Sequence, residues 1–450
     1  MKLTKFRKAL LMSALSVGLV LGVTSCVQSY TVGYLYVTGL QTSGTSTSTQ
    51  SGSNNGIISG FKIDHNTGNL VPIHGLPISS GGSNPGRAVL LNGGRFLYVL
   101  NQGVPTNGGT SCTAATPCTA NVAQFSIGGN GVLSPQGISP SPEGFNSTRI
   151  IADSTGTYIY VLDTIAPSSA ACALALGNGV TSCGDITAFK ADPNTGRLTL
   201  VINSQVTAAN GEPLAYFPVP ADPIDFVLSG GYVLTLSGTP TTGDSVFPYT
   251  FGQSNGQLTI NQNSSQPLNI FQGTAIVATT NVFVLANDPY SSSVPSEILE
   301  FSIGANGALQ AAANGGVTPG PTSLSHPIFL VAEKSAKWDY VAYYGDNNTT
   351  TGNSESGIAG YIVDPSNKAL DNGQTSGSPY GSGSGPVCFL EDPSAQFLYT
   401  ANFNDSTISG LSLDQNVGAL NPLSQNHSKV KDTFALPGPP AWCVVTGRTS

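Results

Sequence analysis

Charge is what this sequence has least of. Asp, Glu, Lys and Arg make up only 9% of its 450 residues, against about a quarter in an ordinary soluble chain. The balance is acidic, at −8. No basic stripe exists to neutralise phosphates, which excludes a nucleic-acid partner. Histidine is scarce too, at four residues, and the cysteine spacings contain no C-x-x-C, so no metal centre is expected. G-x-S-x-G, H-E-x-x-H, P-loop and EF-hand patterns are all missing. No cofactor is called for. Beyond the first 25 residues no apolar run is long enough to cross a bilayer.

What is abundant is glycine, with 54 residues, together with Ser, Thr and Asn, as turn-rich all-β structure demands. Two phrases recur. The first is an apolar run, a polar turn and an apolar close: "FKIDHNTGNL" from Phe61, "FSIGGNGVL" from Phe125, "FKADPNTGRL" from Phe189, "YTFGQSNGQL" from Tyr249, "FSIGANGAL" from Phe301, "YIVDPSNKAL" from Tyr361 and "LSLDQNVGAL" from Leu411. The second lies upstream of each: "YLYVTG" (Tyr34), "FLYVLN" (Phe96), "YIYVLD" (Tyr158), "YVLTLS" (Tyr232), "VFVLAN" (Val282), "YVAYYG" (Tyr340) and "FLYTAN" (Phe397). Such aromatic and β-branched runs suit strands, and the turns suit hairpins. No comparable stretch shows helical periodicity. Two phrases agreeing on seven copies define a repeat.

Each copy reads as four strands. In the third these are A (Thr148–Asp153), B (Tyr158–Asp163), C (Asp185–Ala191) and D (Leu198–Asn203). The first unit lacks strand A, whereas the last is followed by a spare strand, "AWCVVTG" (Ala441–Gly447). A solenoid would need capped ends. A spare strand that completes the first unit instead closes a ring, leaving no exposed sheet edge. The expected fold is all-β: a seven-bladed β-propeller of four-stranded antiparallel blades, closed by the C-terminal strand completing blade one. The A–B and C–D turns are tight and share one face. The B–C loops share the other and are long, as in Thr38–Asn55, Asn101–Ala120, Asp163–Gly184 and Gly345–Ser356. Elaboration on one face of a rigid scaffold points to binding there.

The N-terminus reads as a targeting segment. Lys2, Lys5, Arg7 and Lys8 precede an apolar run from Ala9 to Val23, which ends in "VTSC" at Cys26. This resembles the lipobox of bacterial lipoproteins, which implies an acylated Cys26, a signal peptide over 1–25, a tether over 26–32 and a propeller over 33–450. The chain is then expected in the cell envelope, periplasmic or at the cell surface (outer membrane), meeting the membrane through its lipid only. Without Cys26, six cysteines remain, which allow fifteen pairings. Cys112 and Cys118 share one B–C loop, and Cys172 and Cys183 share the next. Local pairing leaves Cys388 for Cys443, tying blade seven to the closing strand of blade one. An oxidising compartment permits all three.

The repeats, "YLYVTG…GIISGFKIDHNTGNLVPI" and its six relatives, resemble the seven-bladed lactonase family, which includes bacterial 6-phosphogluconolactonase and a fungal muconate-lactonising enzyme. "YLYVTG" also resembles the YVTN-type propeller repeat. The resemblance runs from about Gly33 to Gly447. It implies a carboxylic ester hydrolase taking a small lactone or carbohydrate-like ligand. Such chemistry needs a group to activate water and donors for the oxyanion. Candidates at the starts of A strands are Arg87, Arg149, Glu143 just before it, and His326; Asp222 and Asp225 open blade four. Family members carry His-Pro pairs at several blades, but here only His326 precedes a proline. A non-catalytic propeller that binds a surface or extracellular partner through its B–C loops is the alternative. The expected state is a monomer. Asp153, Glu391 and Asp392, and the turn residues Asp64, Asp192 and Asp364, read as turn-formers. Metabolic labelling with palmitate is expected to mark the wild-type protein and not Cys26→Ala; equal labelling of both would refute lipidation.

Overall fold

The computed structural model describes residues 30–41, 55–91, 93–106, 111–113, 115–139, 141–208, 210–239, 243–260, 266–268, 270, 272–287, 296–312, 316–345, 355–426 and 430–447. Residues 1–25, read from the sequence as a targeting segment, and Cys26 lie outside them. Seven antiparallel sheets follow one another around a ring as the blades of a propeller. The innermost, A strands are Pro440–Gly447 for blade one, then Pro85–Leu91, Phe145–Ala152, Pro223–Ser229, Gly273–Ala278, Pro327–Ala332 and Pro386–Glu391 for blades two to seven. Blade one is completed from the far end of the chain, with Val37 opposite Cys443 and Leu35 opposite Val445.

Burial on both faces explains the apolar runs. In strand B of blade two, Phe96, Tyr98 and Leu100 pack into the junction with blade three. The alternate residues Leu97 and Val99 pack into the junction with blade one. A two-residue period with both sides buried leaves no room for polar alternation. Each of the seven blade junctions has its own apolar cluster.

A hydroxyl crosses most of these junctions. Tyr36 donates to the Gly131 carbonyl of the next blade (2.7 Å), Tyr98 to Gly196 (2.7 Å), Tyr160 to Gly256 (3.1 Å), Tyr340 to Gly418 (2.8 Å) and Tyr399 to Gly68 (2.7 Å). The acceptor glycines sit in the C–D turns at positive φ, for example +70° at Gly196, where a Cβ would stand 2.5 Å from the Phe96 ring. Blades four and five have Leu234 and Val284 at the tyrosine position, and amides take over. Gln266 donates Nε2 to the Gly307 carbonyl (3.1 Å), and Asn281 donates Nδ2 to that of Lys368 (3.2 Å).

Three features differ from the sequence reading. Blade three's A and B strands run over Phe145–Ala152 and Tyr158–Ile165. Its D strand is only Leu198–Leu200, and strand C pairs again, near its other end, with Phe217–Val219. Among the described residues, strand C pairs with two short outer segments in six blades, and in blade two with one strand, Leu133–Ile138. A short, interrupted edge offers little template to another chain. A helix, Ser169–Leu176, also stands in the B–C loop of blade three. It is capped by the Ser168 hydroxyl (3.4 Å) and seated through Cys172 on Cys183, Leu214 and Tyr216. At eight residues it is too short to show as a periodicity.

The structure holds disulfides Cys112–Cys118, Cys172–Cys183 and Cys388–Cys443, with Cα separations of 5.2, 5.7 and 5.7 Å. The third fastens the closing strand to blade seven. Tyr399→Phe leaves a buried carbonyl at the ring closure without its donor and is expected to cost about 1–3 kcal/mol, read from urea unfolding. An unchanged midpoint would show that the bond contributes nothing there.

Candidate site at the channel mouth

Every A strand carries a β-bulge at the same place, near its start. In blades two to seven the residue before the strand, or early within it, has a left-handed backbone: Asn84 (φ 49°), Asn146 (62°), Asp222 (54°), Gln272 (99°), His326 (55°) and Gly385 (69°). This conformation selects Gly, Asn, Asp and His. A bulge re-aims the side chains that follow it. The residue two beyond the last pair before the bulge is Trp442 in blade one, then Arg87, Arg149, Asp225, Ala275, Phe329 and Cys388. This one position holds the charged residues of the channel mouth in blades two to four and Trp442 in blade one, while Ala275 and Cys388 of the same series are buried in blade junctions.

Three members of that series carry charge, and they meet. Arg87 grips Asp225 with both guanidinium ends, at 2.9 and 3.1 Å. Arg149 Nε lies 3.4 Å from Asp225 Oδ1, and its Nη1 donates to the Thr148 carbonyl (3.1 Å). Asp225 also accepts from its neighbour Phe226 N (3.0 Å) and from Ile276 N in blade five (3.4 Å). Its side chain is 1% exposed, against 13% for Arg87 and 28% for Arg149. The Arg87 guanidinium lies 4.5 Å from the centre of the Trp442 ring, which meets Phe329 edge-on at 5.4 Å. Burial, then the like charge of Arg87, pulls the Arg149 guanidinium down to about 10 against the attraction of Asp225. It stays cationic at neutral pH.

Above the charges is a cavity of about 280 Å³, lined by Arg87 and Arg149 with Thr148, Thr274 and Trp442. Gln102 and Tyr344, which follow B strands, place its opening on the B–C face. Arg87 and Arg149 thus come together as neighbouring-blade positions should, but the group between them is internal. Asp225 matches one positive charge and leaves the site net cationic. Its oxygens already accept from Arg87 and two backbone amides, so it is a poor base. Arg149 is the guanidinium left for a ligand, since it is the more exposed of the two, lines the cavity, and has only its Nη1 engaged in a hydrogen bond while its buried Nε is turned to Asp225.

Glu143 and His326 do not join this group. His326 supplies the left-handed residue before Pro327, with Nε2 3.4 Å from Asn287 Nδ2 and Nδ1 3.3 Å from Ser325 Oγ. Its role there is in the backbone. Glu143 N donates to Thr187 Oγ1 (2.9 Å), and its carboxyl, pushed up by burial, stands by a different cluster. There Asp163 and Asp185 face each other across strands B and C, both fully buried. The Ser147 hydroxyl donates to Asp163. Burial pushes Asp163 up to about 7, and burial with the charge of Asp163 drives Asp185 well above the carboxylate range. Two such acids in contact hold at least one proton near neutrality. Blade two puts the neutral pair Asn101 and Asn121 at this place, bonded at 3.0 Å. Asp222 likewise takes a left-handed backbone position. Asp153 and Asp392 bond the amides of their A–B turns, and Asp64 and Asp192 those of their C–D turns. Among the described residues, no group of three or more His, Cys, Asp or Glu side chains could hold a metal ion.

No protein-family model and no curated protein matches the sequence. Solved structures do. A periplasmic gluconolactonase from Pseudomonas aeruginosa, PpgL, superposes with a TM-score of 0.63 at 16% identity, over 93% of this chain and 100% of its own. A Bacteroides fragilis protein provisionally called a 6-phosphogluconolactonase gives 0.59 at 14% identity, over 94% and 99%. A Bacteroides uniformis protein so called gives 0.59 at 14%, over 93% and 100%. The fold is that of the lactonase propellers. Blade three carries an acid pair where blade two carries an amide pair.

That exchange has a pH signature. The unfolded acids ionise near pH 4, while the folded pair keeps protons to about 7 or above. Its contribution is therefore present in full below about 4 and lost as pH rises through about 7. Asp163→Asn, which copies blade two, is expected to flatten stability between pH 4 and 8 and raise it most at pH 8. Asp339 and Glu391, which burial also lifts to about 7, leave a residual slope. Urea unfolding across that range checks this; an unaltered slope would refute proton sharing by the pair.

Proposed function

We propose that the protein is an exported, monomeric lactonase-type propeller, anchored through Cys26, that opens a small unphosphorylated lactone at the B–C mouth of its channel. The observation that carries the reading is the Arg149 guanidinium, partly exposed, hydrogen-bonded through Nη1 only, and lining a cavity of about 280 Å³. The disulfides fit an extracytoplasmic chain, as does the periplasmic gluconolactonase that shares its fold. With Arg87 matched by Asp225, about one positive charge remains. That suits a neutral lactone or a monocarboxylate better than a phosphate dianion.

In this reading the lactone carbonyl oxygen takes the Arg149 donor. Water adds to the carbonyl carbon, and the charge that develops on oxygen is held by the guanidinium. The ring C–O bond then breaks, its oxygen takes a proton, and a hydroxy acid leaves. No imidazole or free carboxylate is among the described residues lining the cavity, so water loses its proton to solvent. A positioned base would add about 10²–10⁴-fold; without one, turnover is slow. The same feature favours the second reading, a non-catalytic propeller that binds a surface or extracellular partner.

The test is an assay of the purified protein on gluconolactone, its 6-phosphate and simple lactones. Loss of one oxyanion donor costs about 2.7–4 kcal/mol, so Arg149→Ala is expected to lower turnover about a hundredfold without changing the melting temperature. Turnover indifferent to Arg149 would remove this site. No turnover of any lactone would leave the binding reading.

A further inference from the structure

Four arginines lie among the described residues: Arg87, Arg95, Arg149 and Arg197. They form two pairs, each bridging blades two and three. The first pair is the channel-mouth site. The second stands on the opposite face, where the A–B turn of blade two meets the C–D turn of blade three, and lines a separate cavity of about 470 Å³. Arg95 and Arg197 are both exposed. The two ion pairs among the described residues both belong to Asp225, so neither of these arginines is matched by a carboxylate. In an acidic chain two adjacent unmatched guanidiniums are unusual.

The repeat shows that the pair is not part of the scaffold. Arg95 precedes the first aromatic of strand B, and Arg197 follows the glycine clasped by Tyr98. The same two places hold Thr157 and Gln257 at the junction of blades three and four, and Lys337 and Ala419 at that of blades six and seven. No other junction puts two cations there. The clasp, meanwhile, fixes the two turns relative to one another and so sets the spacing of the guanidiniums.

The remaining lining narrows the ligand. Ser126, Gln136, Asn194 and Thr195 contribute hydroxyls and amides, and the Phe96 ring lies beneath Arg95 at 5.6 Å. The turn amides are occupied: Asn194 N and Thr195 N both donate to Asp192 Oδ1, at 2.9 and 2.7 Å. No backbone nest is left for a phosphate. What remains is guanidinium forks, which match carboxylates, set among side chains that suit sugar hydroxyls. We infer that this furrow binds an acidic saccharide, with a uronate carboxylate held between Arg95 and Arg197. The site is independent of the channel mouth and of any lactone chemistry there.

Calorimetric titration of the purified protein with trigalacturonate at low salt tests it, with maltotriose and inorganic phosphate as comparisons. Trigalacturonate is expected to bind wild type and Arg149→Ala alike, and to lose about tenfold or more in affinity, roughly one charge-assisted hydrogen bond or more, in the Arg95→Ala/Arg197→Ala double variant. Both positions are exposed, so the double variant should melt as wild type does. Any of four results would overturn the inference: no trigalacturonate binding, maltotriose binding equally well, phosphate binding as tightly, or affinity undiminished in the double variant. An inactive Arg149→Ala that still binds trigalacturonate would separate this site from the catalytic reading.

Discussion

A carbonyl that points out of a tight turn has to find a donor, and in this ring the donor comes from the neighbouring blade. Five tyrosines supply it, and where tyrosine is replaced by Leu234 or Val284 an amide from Gln266 or Asn281 reaches the same acceptor. The bond's net value is modest, of order 1 kcal/mol, but an apolar junction cannot leave the carbonyl bare. The constraint runs both ways. The turn residue has to adopt a left-handed conformation and, at the five tyrosine clasps, lie against an aromatic ring with no room for a Cβ. The strand has to carry its tyrosine on the face that looks to the next blade. The two recurring phrases of the sequence are the two halves of this contact.

With the blades locked in angle, the channel is lined by equivalent positions, and the bulges decide which side chains point where. Function then needs only substitutions at one position of a fixed ring. Arg87, Arg149 and Asp225 fill three consecutive blades, whereas the channel mouth of blades six and seven is lined by Ile328 and Val387. The charged half is thereby set against an apolar half that includes Trp442 under Arg87. A low-dielectric wall on one side strengthens the field from the other.

The fold was legible because burial on both faces of the B strands forces continuous apolar runs, and because the clasp forces recurring glycine turns. Closure by Pro440–Gly447 was legible from the unmatched strand at the chain's end. The broken outer strands were not, since they see solvent and carry little pattern. The helix Ser169–Leu176 is a loop insertion held by a disulfide and its own small core, features with no period. At the site, Arg87 and Arg149 could be seen as like positions in adjacent blades. That Asp225 would stand between them could not be read from spacing alone, because the pair is 138 residues apart in sequence. His326 and Glu143 show the converse. Each is chemically apt and lies near a strand start, yet the backbone claims His326 for a left-handed turn, and the protein interior draws Glu143 towards Asp163 and Asp185.

The position of Asp225 also sets what the site can bind. Two bare guanidiniums on a channel wall would repel one another, and desolvating both would be costly. A buried carboxylate held by Arg87 at two points removes most of that repulsion. Arg149 is then held in place by a weaker contact to the same oxygen, close enough to be oriented but not satisfied. The arrangement delivers a single oriented positive donor rather than a pair. A dianion would find too little charge there, and a neutral apolar molecule would leave Arg149 without a partner. A monoanion, or an oxygen that gains negative charge, is the group for which this imbalance is smallest.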